Sequence, residues 1–196
     1  MTRARAADKR RSKYAARMSW LEQYRELSLY NQRMNRKLYG LAAAMSDEER
    51  RRDRGAFFQS IHGTFNHLLL GDRIWMLRLT GDEAKYVSKD DRGQPIAFSS
   101  MGGELYADFE RLARERRRTD DDIVEAMQAL TDADLTTELV YKRAGAQVKH
   151  VRWWALTHFF NHQTHHRGQA TTLFSQAGVD PGVTDLIAML RDPAGF

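Results

Sequence analysis

The chain has 196 residues, 42% of them apolar, enough for the core of one domain and too many for a chain disordered throughout. It contains no cysteine, which excludes a disulfide framework, thiolate metal ligands and a cysteine nucleophile, and leaves histidine as the ligand for any soft-metal site. The net charge of +5 invites a nucleic-acid partner until it is located: residues 1–17 carry seven Lys or Arg and one Asp, +6, so everything after them sums to −1.

Residues 1–17 read as a basic, disordered leader, with Met18 opening a structured domain over 18–196. Apart from Tyr14 no aromatic ring interleaves with the leader's arginines, so no stacking platform accompanies the charge and nucleic-acid binding is disfavoured. No uninterrupted apolar run approaches the roughly 20 residues of a membrane span, and the N-terminus lacks the apolar core of a secretory signal. A cytoplasmic protein without a membrane partner is expected. Scarce proline, abundant Ala, Leu, Arg and Glu and few β-branched runs predict an all-α fold.

Along the chain, Trp20, Tyr24, Leu27, Asn31, Met34, Leu38 and Leu41 step by three and four, predicting helix one over about 19–45. Ser46 and Glu49 have capping-box spacing and predict a short helical turn after it. A second stripe from Phe57 to Leu79 predicts helix two over about 56–79, stopped by Gly81. Residues 81–103 form a connection longer than an antiparallel turn needs. Leu105, Phe109, Leu112, Arg116, Ile123, Met127 and Leu130 mark helix three, and residues 136–150 alternate well enough for a short hairpin. Val151 to Leu173 carries helix four, and a Pro181-Gly182 turn leads to a short terminal helix over about 184–190.

The chemistry concentrates in histidine. His162 and His166 are four apart on helix four, so their Cβ atoms lie roughly 5–6 Å apart on one face, close enough for two imidazoles to reach one ion. A third donor must come from a facing helix, and His67 is available midway along helix two, where its wheel neighbours Ser60, Gly63, Thr64 and Gly71 are small. A single histidine there would more often be a packed or surface residue; the pair in the same bundle shifts the balance toward ligation. Three neutral imidazoles suit Zn, Ni, Fe(II) or Co and leave positions open for water or substrate. His158 extends the i,i+4 stack, His165 points about 100° away from His166, and His62 lies on another face of helix two; each remains a candidate pocket residue. His150 has no assigned role. Gln163 follows His162 where the helical zinc-protease motif needs Glu, which argues against amide hydrolysis by that machinery.

The segments NHLLLGDRIW (66–75) and FNHQTHHRGQ (160–169) together resemble the motifs of the DinB/YfiT-like family of metal-dependent enzymes, over about residues 18–191. The resemblance implies an up-down four-helix bundle with a long connection between helices two and three, and homodimers. It also implies a divalent metal on His67, His162 and His166. The activity it implies is thiol-dependent S-transfer or isomerisation with a low-molecular-weight thiol. That thiol would have to be a small-molecule cosubstrate, since the chain has no cysteine. The alternative is a non-catalytic metal-binding protein of the stress response. Arg167, Gln169, Asn66 and Asp72 are candidates for orienting ligands or histidines.

Overall fold

The computed structural model describes residues 19–98 and 100–192. The leader expected at 1–17 therefore lies outside the described residues. Four long helices dominate: α1 (Trp20–Ala43), α3 (Ile61–Thr80), α5 (Phe109–Ala129) and α7 (Arg152–Gln176). Between and after them come short helices α2 (Asp47–Arg51), α4 (Glu83–Tyr86), α6 (Asp132–Leu135) and α8 (Leu186–Arg191), and the antiparallel strands β1 (Glu138–Arg143) and β2 (Ala146–Val151). The described chain is thus mostly helical with a two-stranded sheet, and the all-α expectation is amended by the hairpin. Ala144 and Gly145, both at positive φ (49° and 81°), make the two-residue turn that lets such a hairpin close without splaying its strands.

Helix boundaries follow local chemistry. Ser19 caps α1 by accepting from the Glu22 N–H at 3.3 Å. The buried stripe of α1 runs through Leu21, Tyr24, Ser28, Asn31, Met34 and Leu38, whereas Trp20, expected to begin it, is 69% exposed. At α2, Ser46 accepts from the Glu49 N–H, but the Glu49 carboxylate turns to Arg52 and Arg54. Helix α3 begins at Ile61, five residues later than the apolar pattern suggests. Gly55 (φ 73°) and Gln59 (φ 62°) break the backbone, and Ser60 caps the true start by accepting from Gly63 N–H at 3.0 Å. Its end matches expectation: Gly81 is left-handed and donates its N–H to Leu77 at 2.8 Å. Likewise α5 starts at Phe109, capped by Asp108, not at Leu105.

Among the described residues two larger apolar clusters hold the long helices, and a third, smaller one joins Tyr30 and Met34 of α1 to Met189 of α8. Of the larger two, one gathers Leu38, Phe65, Leu69, Leu112, Leu173 and Phe174; the other gathers Tyr24, Met76, Ile123, Leu156 and Phe159 with Leu139 of β1, which docks the hairpin. Each fully buried side chain of this kind stabilises the fold by about 1.5–3 kcal/mol. Among these helices runs a buried polar layer. Arg116 lies between Asp72 (2.5 Å) and Asp120 (2.8 Å), Asn35 donates to Asp120 (2.9 Å), and Arg167 donates to Asn31. Charges this deep are tolerated because each faces an opposite charge or a hydrogen-bonding amide.

Candidate metal centre

Helices α3 and α7 face each other, and both present polar residues at helical spacing across their contact. His67 and Gly71 are one turn apart on α3; His158, His162 and His166 are one turn apart on α7. The structure brings His67, His162 and His166 together. His67 Nε2 lies 3.3 Å from His162 Nε2 and 3.1 Å from His166 Nε2. Tetrahedral donors at about 2.0–2.1 Å from one ion would be separated by about 3.3–3.4 Å, so these spacings suit one divalent ion. Among the described residues these three form the cluster that could hold a metal ion, and no Asp or Glu joins it.

Neighbouring groups fix two of the rings. His67 Nδ1 lies 2.8 Å from the Met101 carbonyl, and His166 Nδ1 lies 2.7 Å from Gln169 Oε1. Both partners are acceptors, so both Nδ1 atoms carry the proton and both Nε2 atoms turn lone pairs toward each other. Lone pairs at 3.1 Å repel unless a cation stands between them, and the donor set therefore fits a metal. Phe58 stacks on His67 with centroids 3.8 Å apart and planes 16° apart, holding its ring orientation. His162 Nδ1 is buried with no protein partner among the described residues.

Burial keeps these imidazoles neutral. It lowers His67, brings His162 to about 3 with help from His166 and His67, and brings His166 to about 4 against the opposing pull of Gln169. Neutral imidazole is the ligand-competent form. The triad lines a cleft of about 790 Å³ whose walls also include Phe57, Trp75, Tyr141 and Trp154.

The remaining sequence candidates divide. His158 lies in the cleft wall, its ring 4.8 Å from Trp75 and 5.9 Å from His162, outside the cluster. His165 also lines the cleft, with its ring 4.8 Å from His166. His62 is buried elsewhere, its Nε2 3.0 Å from the Tyr106 carbonyl. Of the four proposed orienting residues, only Gln169 touches a triad histidine. Asn66 holds the incoming connection by accepting from Leu105 and Tyr106 N–H groups at 2.9 Å. Asp72 and Arg167 turn into the buried polar layer. Sequence reasoning missed Phe58 and the Met101 carbonyl. Phe58 was readable only as part of an apolar stripe, and a backbone carbonyl has no sequence signal.

Fold and geometry define a class: a mostly helical protein with a three-histidine cluster suited to a divalent ion at the floor of a cleft. The DinB family model matches residues 17–192, and the chain belongs to the DinB family. It is also similar to a DinB-like protein from Bacillus cereus known from a crystal structure, at 22% identity, covering 76% of this chain and 90% of that one with a TM-score of 0.49. No curated protein matches it.

Proposed function

We propose that the chain is a metal-dependent enzyme in which His67, His162 and His166 hold a divalent ion, Zn or Ni before Fe or Co, and that it transfers a small-molecule thiol to an electrophile. The observation that carries this reading is the convergence of three Nε2 atoms, two at 3.1 and 3.3 Å from the third, at the floor of an open cleft. Three protein donors leave room for a reactant, the arrangement of catalytic sites as opposed to closed structural ones. The ion would supply Lewis acidity, lowering the pKa of a thiol or water so that the nucleophile forms near neutral pH.

The chain's own groups do the rest. The Met101 carbonyl and Gln169 aim the His67 and His166 rings, and Phe58 packs over His67 and screens it from solvent. Aromatic walls from Trp75, Tyr141 and Trp154 offer an apolar seat for the electrophile. The helices are read as an up-down four-helix bundle carrying the hairpin beside the cleft. A homodimer belongs to the same reading, and the exposed side chains of Trp20 and Trp153 are apolar surface that such a contact would cover.

No helix is long and apolar enough to cross a membrane among the described residues. The competing reading is a non-catalytic metal-binding protein of the stress response. A turnover screen of low-molecular-weight thiols against small electrophiles, with metal-loaded wild type and His162→Ala, separates the two. Thiol consumption that needs the metal and disappears in the variant supports the enzyme. Full metal occupancy without turnover across the screen supports the alternative.

A further inference from the structure

The outer half of the cleft carries a charge pattern that ion binding does not use. On α3, the spacing that puts Gly71 opposite His162 also puts Trp75 and Arg78 on the cleft face, four and seven residues further along. On β1, period-two alternation sends Leu139 into the core, Tyr141 to the cleft wall and Arg143 to its rim. The Arg78 guanidinium packs against two rings that meet edge to face 5.7 Å apart, 4.7 Å from the Trp75 centroid and 4.5 Å from the Tyr141 centroid. His150 steadies that wall from β2, its Nε2 3.1 Å from the Tyr141 hydroxyl.

Among the described residues no carboxylate pairs with Arg78 or Arg143, and none lines the cleft. The acids of neighbouring elements are committed elsewhere: Asp72 to Arg116, and Glu138, on the opposite face of β1, to Lys149 at 3.1 Å. Arg78 is half-buried, and burial, together with the nearby Arg143, lowers its pKa. A preorganised guanidinium beside a second arginine, with no counter-charge, is the arrangement that receives an anion.

We propose that Arg78 and Arg143 form an anion subsite at the outer end of the cleft, and that the ligand bears a carboxylate or phosphate at one end and an apolar body that reaches the triad. This deepens the functional reading and rests on the cleft being that reading's ligand site. Gly71 and Arg78 are seven residues apart, so the subsite stands about 10 Å along α3 from the level of His162. Trp75 and Tyr141 flank the path between and accept an apolar or aromatic body.

Three probes of matched length test this: 4-phenylbutyrate, 3-phenylpropylphosphonate and 4-phenylbutan-1-ol, titrated calorimetrically into the full chain. Wild type is compared with Arg78→Gln, Arg143→Gln and the double variant, each with and without metal. Wild type binds at least one anion about 10-fold tighter than the alcohol, as expected for a charge-assisted pair. The tighter anion tells carboxylate from phosphate. Each single variant reduces the preference and the double variant abolishes it, with alcohol binding unchanged. Arg143 is on an exposed hairpin end, so its variant stays informative even if replacing Arg78 disturbs the aromatic wall. Equal binding of all three probes by wild type overturns the proposal. A preference that survives both replacements, or that vanishes only when metal is stripped, also overturns it, because the anion then sits on the ion. A preference that persists in metal-free wild type and is lost in the double variant supports the subsite, even if metal analysis of the triad fails.

Discussion

Gly71 and His162 face each other so closely that a Cβ on Gly71 would stand 2.8 Å from the imidazole Cε1 of His162. The absence of a side chain at 71 is what lets the α7 imidazole settle between the helices. Gly71→Ala therefore displaces the ring and weakens metal binding by on the order of 10-fold. The helix itself does not suffer, since Ala is favoured over Gly in a helix interior by about 1 kcal/mol. Metal affinity by chelator competition, read beside thermal unfolding, shows the two effects moving in opposite directions.

Gln169 accepts from His166 Nδ1 at 2.7 Å. Gln169→Ala frees that ring to rotate and removes the acceptor that fixes its tautomer, so metal affinity falls about 10–100-fold with little change in fold. Gln169→Glu, which keeps an acceptor in place, retains binding close to wild type. Calorimetric titration with Zn checks both.

The cluster also makes stability depend on pH. His67, His162 and His166 all have folded-state pKa values below the ordinary 6.5, His162 at about 3 and His166 at about 4. Below pH 6.5 the unfolded chain takes up protons that the folded one refuses, so stability is full above that pH and declines as pH falls toward 4. The metal-free protein loses Tm over that window. His162→Asn flattens the loss, because its strongest contributor is gone. Melting curves from pH 7.5 to 4.5 test this, and an unchanged slope in the variant contradicts it.

Arg116 is 1% exposed and lies between Asp72 and Asp120. Arg116→Leu leaves two buried carboxylates facing each other and destabilises the fold by about 3–5 kcal/mol. By contrast Glu138→Gln removes an exposed pair with Lys149 and changes stability by about 1 kcal/mol or less. Urea denaturation measures both.

Much of this was legible in the sequence where it depended on local periodicity. The stripes placed the four long helices, the alternation at 136–150 marked the hairpin, and the spacing of His162 and His166 put them on one face. Three features escaped because they are decided by tertiary contacts. The stripe through Phe57 and Phe58 reads as helix, yet Gln59 turns left-handed and frees Phe58 to stack on His67. Met101 reaches His67 across 34 residues of connection, through a backbone atom any residue could supply. The Arg78 clamp joins α3 to β1, and neither segment alone signals the other. His67 was placed by its small neighbours and a family resemblance, while its distances to the other two imidazoles came only from the fold.

The central claim is that the three imidazoles hold a divalent ion, and metal analysis of the full chain purified without chelator tests it most directly. Wild type should carry near-stoichiometric divalent metal, and His162→Ala, with its helical content intact, should lose most of it. No stoichiometric metal in wild type, or equal metal in a folded His162→Ala, would contradict the account.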